Sequence, residues 1–139
     1  MSKISVFIAD DHPLIRQALK LSILTEDDME VVGEAVDGLE AIKLVPDLNP
    51  DIVIMDLMMP NMDGYAATRN LHKHCPRVYI LVLSSLNKEE AVFKAVQAGA
   101  RGYLTKNTQH DELVSAIRII CEGKSYFPSK IRERELVSS

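Results

Sequence analysis

Five times along this chain a short, continuously apolar run gives way to a longer stretch with apolar residues at helical spacing. Ile4 to Ala9 ends in Asp10-Asp11, and Pro13 then opens a helical stretch with apolar positions at Leu14, Ile15, Ala18 and Leu19. Met29 to Val36 is followed, after Asp37-Gly38, by a segment directing Leu39, Ile42, Val45 and Leu48 inward, with regular helix expected to end near Pro46. Ile52 to Met55 runs into Asp56, and beyond a loop of Met, Pro and Asn the stretch Tyr65 to Lys73 has helical character. Val78 to Leu83 stops at Ser84-Ser85, before a helix over Lys88 to Ala98 closed by Gly99. Gly102 to Thr105 is the last strand, and Asp111 to Glu122 the last helix, with Leu113, Ala116, Ile117 and Ile120 at its spacing and Gly123 at its end. Strands that are apolar throughout, rather than in alternation, are buried on both faces. The expected fold class is therefore α/β: one parallel sheet sandwiched between helices.

Several function classes drop out at this stage. Sixteen Lys and Arg against 20 Asp and Glu leave a net charge of −4, with no basic cluster to bind a phosphate backbone. Trp is absent, and three Phe with four Tyr give little material for stacking bases. Cys75 and Cys121 are too few and too far apart for a Cys-rich zinc site or a disulfide framework. No apolar run approaches the ~20 residues of a membrane-spanning helix, and the start lacks the pattern of a secretory signal. The expected location is cytoplasmic.

In an open α/β sheet ligands bind beyond the carboxyl ends of the strands. The first strand delivers Asp10 and Asp11 to that edge, the third Asp56, the fourth Ser84 and Ser85, and the fifth Lys106, while the second supplies only Asp37 and Gly38, which read as turn residues. Each has a bland reading by itself: Asp11 or His12 as a helix cap, Asp56 as a loop acid, Ser84 as a cap, Lys106 as a solvated charge. Their joint placement favours a site. Two carboxylates about 4 Å apart repel by about 4 kcal/mol at an effective dielectric near 20, and one ammonium cannot neutralise three of them. A hard divalent cation with oxygen ligands can. Acidic pocket, lysine and hydroxyl together suit phosphoryl transfer, in which a carboxylate can itself be the nucleophile. Asp56, alone at the end of the central strand, is the natural candidate.

Asp10-Asp11-His12-Pro13, then Asp56-Leu57-Met58-Met59-Pro60-Asn61-Met62-Asp63-Gly64, then Leu83-Ser84-Ser85, then Gly99-Ala100-Arg101-Gly102-Tyr103-Leu104-Thr105-Lys106 together resemble the receiver domain of two-component response regulators. The opening and closing motifs are most similar to the LuxR-type (NarL/FixJ) branch, and the likeness covers roughly residues 3 to 123. It implies a doubly wound five-stranded parallel sheet in the order 2-1-3-4-5 flanked by five helices. It implies Asp56 as phosphoacceptor from a phosphohistidine on a sensor histidine kinase, and Mg2+ held by Asp10, Asp11, Asp56 and the backbone carbonyl of Met58. Lys106 and Ser84 would bind phosphoryl oxygens, and Ser84 with Tyr103 would form the switch, Tyr103 turning inward as Ser84 moves. Such a protein phosphorylates and dephosphorylates only itself and is not a turnover enzyme.

Two features depart from the family pattern. Lys106 is followed by Asn107 where most receivers have Pro after a cis bond, which leaves that loop either strained or differently arranged. LuxR-type regulators also continue into a DNA-binding output domain, whereas here the expected division is a receiver at 1–123 and a tail or linker at 124–139, the latter a short helix or frayed end. DNA would be reached only through an output domain absent from this chain. A phosphorylation-dependent homodimer is expected, and no membrane partner. A free-standing receiver acting on a protein partner is the alternative. A small Mg2+-dependent phosphatase is more remote, since position 58 is Met where such enzymes carry a second Asp. A flavin-binding module is poorly served by Asp-Asp-His-Pro after the first strand, because an acidic pair repels phosphate.

Overall fold

The computed structural model describes residues 2–128. Strands β1 (Ile4–Ala9), β2 (Met29–Ala35), β3 (Ile52–Met55), β4 (Tyr79–Ser84) and β5 (Gly102–Thr105) alternate with helices α1 (Pro13–Leu24), α2 (Gly38–Leu48), α3 (Gly64–His74), α4 (Glu89–Ala98) and α5 (His110–Cys121). All pairings are parallel, in the order β2-β1-β3-β4-β5. The expected doubly wound α/β sheet is the observed one.

Side-chain alternation along the strands builds two cores. Phe7, Val53, Met55, Ile80, Val82 and Tyr103 face α2, α3 and α4. Their neighbours Val6, Ile8, Ile54, Leu81, Leu83 and Leu104 face α1 and α5. The inner strands β1, β3 and β4 are covered on both sides and so are apolar along most of their length, whereas the edge strand β2 carries Glu30 and Glu34.

Helix faces are where the sequence reading needs correction. On α1, Ile15, Leu19 and Ile23 follow the inward stripe, while Leu14 is 81% exposed and Ala18 is exposed as well. On α2, Gly38, Ala41 and Val45 face the sheet, and Leu39 and Leu48 face solvent. An amphipathic stripe spans little more than a third of a helix's circumference, and apolar residues outside it carry no information about which side is inward. The α2 helix also continues past Pro46 to Leu48. Pro46 has no N–H to offer the Ile42 carbonyl, but the helix runs only two residues further and ends on left-handed Asn49, whose N–H donates to the Val45 carbonyl.

The packed structure extends past residue 123. Tyr126 forms a parallel bridge to Gly102, with its N–H donating to the Arg101 carbonyl and its carbonyl accepting from the Tyr103 N–H. Phe127 is buried in the same core as Tyr103. The short helix or frayed end expected beyond this point lies outside the described residues. Both cysteines are free, and burial pushes the Cys121 thiol up to about 11. Among the described residues no helix is long and apolar enough to cross a membrane.

Candidate functional site

Register brings the acidic residues together. Ala9 pairs with Met55, and each is followed by its aspartate, so Asp10 and Asp56 leave adjacent strands side by side. Ser84 pairs with Thr105, which places Lys106 one residue beyond the same edge. Both Asp10 and Asp56 are only 2% exposed. The Lys106 Nζ lies 3.1 Å from Asp10 Oδ2 and 3.1 Å from Asp56 Oδ2. Burial, reinforced by the charge of Asp10, raises the Asp56 carboxyl above its ordinary range despite the opposing Lys106. Burial acts to lower Lys106, but hydrogen bonds to Asp10 and Asp56 outweigh it and the ammonium is raised.

Asp11 turns toward the same place. Its Oδ1 is buried without a hydrogen-bond partner, and ligand atoms of Asp10, Asp11, His12 and Asp56 all lie within 4.8 Å of one another. Three carboxylates against one ammonium, with one buried anionic oxygen that makes no hydrogen bond, fit a divalent cation held by oxygen donors. The expected Asp10, Asp11 and Asp56 group is thus brought together. Met58 follows on an exposed turn, its backbone N–H 3.4 Å from Asp56 Oδ1.

Ser84 and Tyr103 are linked through one residue. The Ser84 hydroxyl accepts from the Leu86 N–H at 3.2 Å, and the Tyr103 hydroxyl donates to the Leu86 carbonyl at 2.7 Å. Leu86, in the loop between β4 and α4, is therefore gripped from both sides. Tyr103 already points inward, 1% exposed. The Lys106–Asn107 peptide is trans, and Asn107 contacts Thr105 through their side chains.

Two contributors escaped the sequence reading. His12, read only as a possible cap, occupies the N-cap position of α1 without making a side-chain cap bond. Its Nδ1 instead sits 2.8 Å from Asp10 Oδ1, 3.2 Å from Asp11 Oδ1 and 3.8 Å from Asp56 Oδ2. An imidazole directly after an acidic pair was the available signal. Arg16, one turn into α1, donates to the Asp10 backbone carbonyl at 2.7 Å and pairs with Glu34. No local pattern marked it.

Comparison with known proteins gives a consistent result. The family model described as the response regulator receiver domain matches residues 6–118. The transcriptional regulatory protein YhcZ of Bacillus subtilis is 44% identical over 114 residues, covering 82% of this chain and 53% of that protein. The transcriptional regulatory protein DegU of Brevibacillus brevis is 38% identical over 130 residues, covering 94% and 55%. The chain therefore spans about half the length of these curated relatives. A crystal structure of a LuxR-family two-component response regulator from Aurantimonas superposes with TM-score 0.88 at 35% identity, covering 95% of this chain and 94% of the other.

Proposed function

Since this chain belongs to the response regulator receiver family, in its LuxR-type branch, we propose that it acts in the cytoplasm with Asp56 as its phosphoacceptor, charged by a phosphohistidine on a sensor histidine kinase. The observation that carries this reading is the convergence of Asp10, Asp11, Asp56 and Lys106 on one sheet edge. Lys106 holds Asp56 Oδ2, which leaves Oδ1, with its single long contact from the Met58 N–H, the freer oxygen. That oxygen attacks phosphorus; the P–O bond forms as the donor's P–N bond breaks, and the electron pair and a proton end on the departing imidazole. Asp10, Asp11, Asp56 and the Met58 backbone carbonyl would hold Mg2+, which when bound supplies charge neutralisation at the acceptor oxygens. Lys106 binds one oxygen of the transferred group and so stabilises the charge that develops on it.

The Ser84 hydroxyl binds another phosphoryl oxygen and in doing so leaves the Leu86 N–H. Because Tyr103 holds the Leu86 carbonyl, the β4–α4 loop and β5 respond together, and the altered surface governs homodimerisation or an output domain. Residues 1–123 carry the receiver's site in this reading, Tyr126 and Phe127 add to its packing, and the rest of 124–139 is the approach to a transcriptional output domain; the names of the relatives, and their greater length, support this over a free-standing receiver. The protein modifies itself and turns over no other substrate.

Acetyl phosphate with Mg2+ is expected to add one phosphoryl group to the wild-type chain and none to Asp56→Ala, read by intact mass. Modification of both, or of neither, overturns the proposal.

A further inference from the structure

Asp37 and Gly38 terminate the one strand that sends no residue to the acidic pocket, yet they touch the loop that follows Asp56. Asp37 caps α2 with one oxygen, Oδ1, which accepts from the Glu40 N–H at 2.8 Å. Its other oxygen, Oδ2, accepts from the Asn61 side-chain amide at 2.7 Å. The adjacent Gly38 N–H donates to the Met62 carbonyl at 3.0 Å, and a Cβ on Gly38 would stand 2.4 Å from that carbonyl oxygen. Asn61 adopts a left-handed φ of 66°, a conformation Asn tolerates better than most residues. At the far end of the loop the Gly64 N–H donates to the Leu57 carbonyl at 2.9 Å, so close that a Cβ on Gly64 would meet the Asp56 carbonyl oxygen at 2.1 Å.

We infer that Asp37 and Asn61 form a clamp that positions the acceptor loop, holding the Met58 backbone where it completes the cation site. The inference rests on the reading of Asp56 and its neighbours given above, and deepens it by naming two positioning residues outside the pocket. Capping and clamping use different oxygens of Asp37, so the clamp can be opened while the cap stays in place. Its carboxylate is held below the usual range by the Glu40 N–H and the Asn61 amide, so the accepting charge present at neutral pH also persists further into acid than that of an ordinary aspartate. The clamp fixes in advance a loop that would otherwise have to be ordered when the cation binds, and its effect on affinity can equal but not exceed its own free energy.

The full chain carrying N61G, N61D or the exchange D37N/N61D tests this. Asn61→Gly tolerates the left-handed conformation and removes the clamping amide together with the restraint its side chain puts on the backbone, and Mg2+ affinity by titration calorimetry is expected to fall roughly three- to tenfold, the equivalent of one hydrogen bond. Asn61→Asp sets two carboxylates face to face and weakens binding further. In D37N/N61D the amide and carboxylate trade places, the cap acceptor survives, and affinity returns to near the wild-type value. Phosphorylation by acetyl phosphate follows the same order at low Mg2+ and becomes equal at saturating Mg2+. Unchanged affinity in both N61G and N61D, or no recovery in an exchange variant that melts like the wild type, overturns the clamp. A wild type that neither binds Mg2+ nor takes the phosphoryl group overturns instead the site reading on which the clamp rests.

Discussion

Lys106 and Asp56, fifty residues apart in sequence, meet at 3.1 Å on the sheet edge, and the same ammonium stands 3.1 Å from Asp10. Both carboxylates are buried, so the lysine offsets charge that water cannot reach. Lys106→Ala leaves them facing each other, and the cation-free protein is expected to lose roughly 1–3 kcal/mol of stability. Urea denaturation with and without Mg2+ checks this. Mg2+ should recover part of the loss, and equal losses in both conditions would count against a shared role for lysine and cation.

Asp56→Asn acts in the opposite direction. Burial and the nearby Asp10 raise the Asp56 carboxyl, so the folded protein keeps this proton to higher pH than the unfolded chain does. The Asp56 contribution to stability is therefore fully present below the ordinary carboxylate value and declines as pH rises toward the raised one. At neutral pH without Mg2+ the Asn variant should melt a few degrees above wild type, the size about 1 kcal/mol gives in a domain of this length. The difference should vanish in acid, below the ordinary carboxylate range. A melting series across pH would expose a variant that is less stable at pH 7, which contradicts the burial argument.

His12 places its Nδ1 among the carboxylates that would hold the cation. An entering Mg2+ ion must displace that nitrogen from Asp10 and Asp11, since hard cations favour oxygen ligands. His12→Ala should therefore tighten Mg2+ binding roughly two- to tenfold, measured by titration calorimetry at constant pH. Weaker binding in the variant would make the ring a ligand and refute displacement.

Phe127 lies beyond the expected end of the receiver but inside its core, 5% exposed. Phe127→Ala should cost roughly 3 kcal/mol, as large-to-small changes at buried aromatics do, and a chain ended at Gly123 should lose at least as much. Urea midpoints of the three proteins decide. An unchanged midpoint would make residue 123 the functional end of the fold.

The strands and the groups at their ends were legible because both are local properties. A run such as Ile52 to Met55 is buried on both faces by the layers above and below it, and a residue just past a strand has nowhere to go but the sheet edge. That reasoning carries Asp10, Asp56, Ser84 and Lys106 to one edge without knowledge of a single contact. It does not reach Leu14 or Leu39, whose exposure depends on the rotation of each helix against its neighbours. Nor does it reach Tyr126, which pairs with β5 only because that edge of the sheet is left open.

The amino-acid sequence alone determined the alternation of elements, the layered class and the acidic edge, since periodicity and strand ends are written in neighbouring residues. Tertiary structure decided what fills the spaces between loops: His12 over the carboxylates, Arg16 on the Asp10 carbonyl, and Asp37 against Asn61, 24 positions away. His12 and Arg16 reach Asp10 from the turn and helix that directly follow it, whereas the Asp37–Asn61 pair exists because strand order and register set those two loops side by side. Such adjacency is a property of the assembled sheet, and no residue's immediate sequence neighbours encode it.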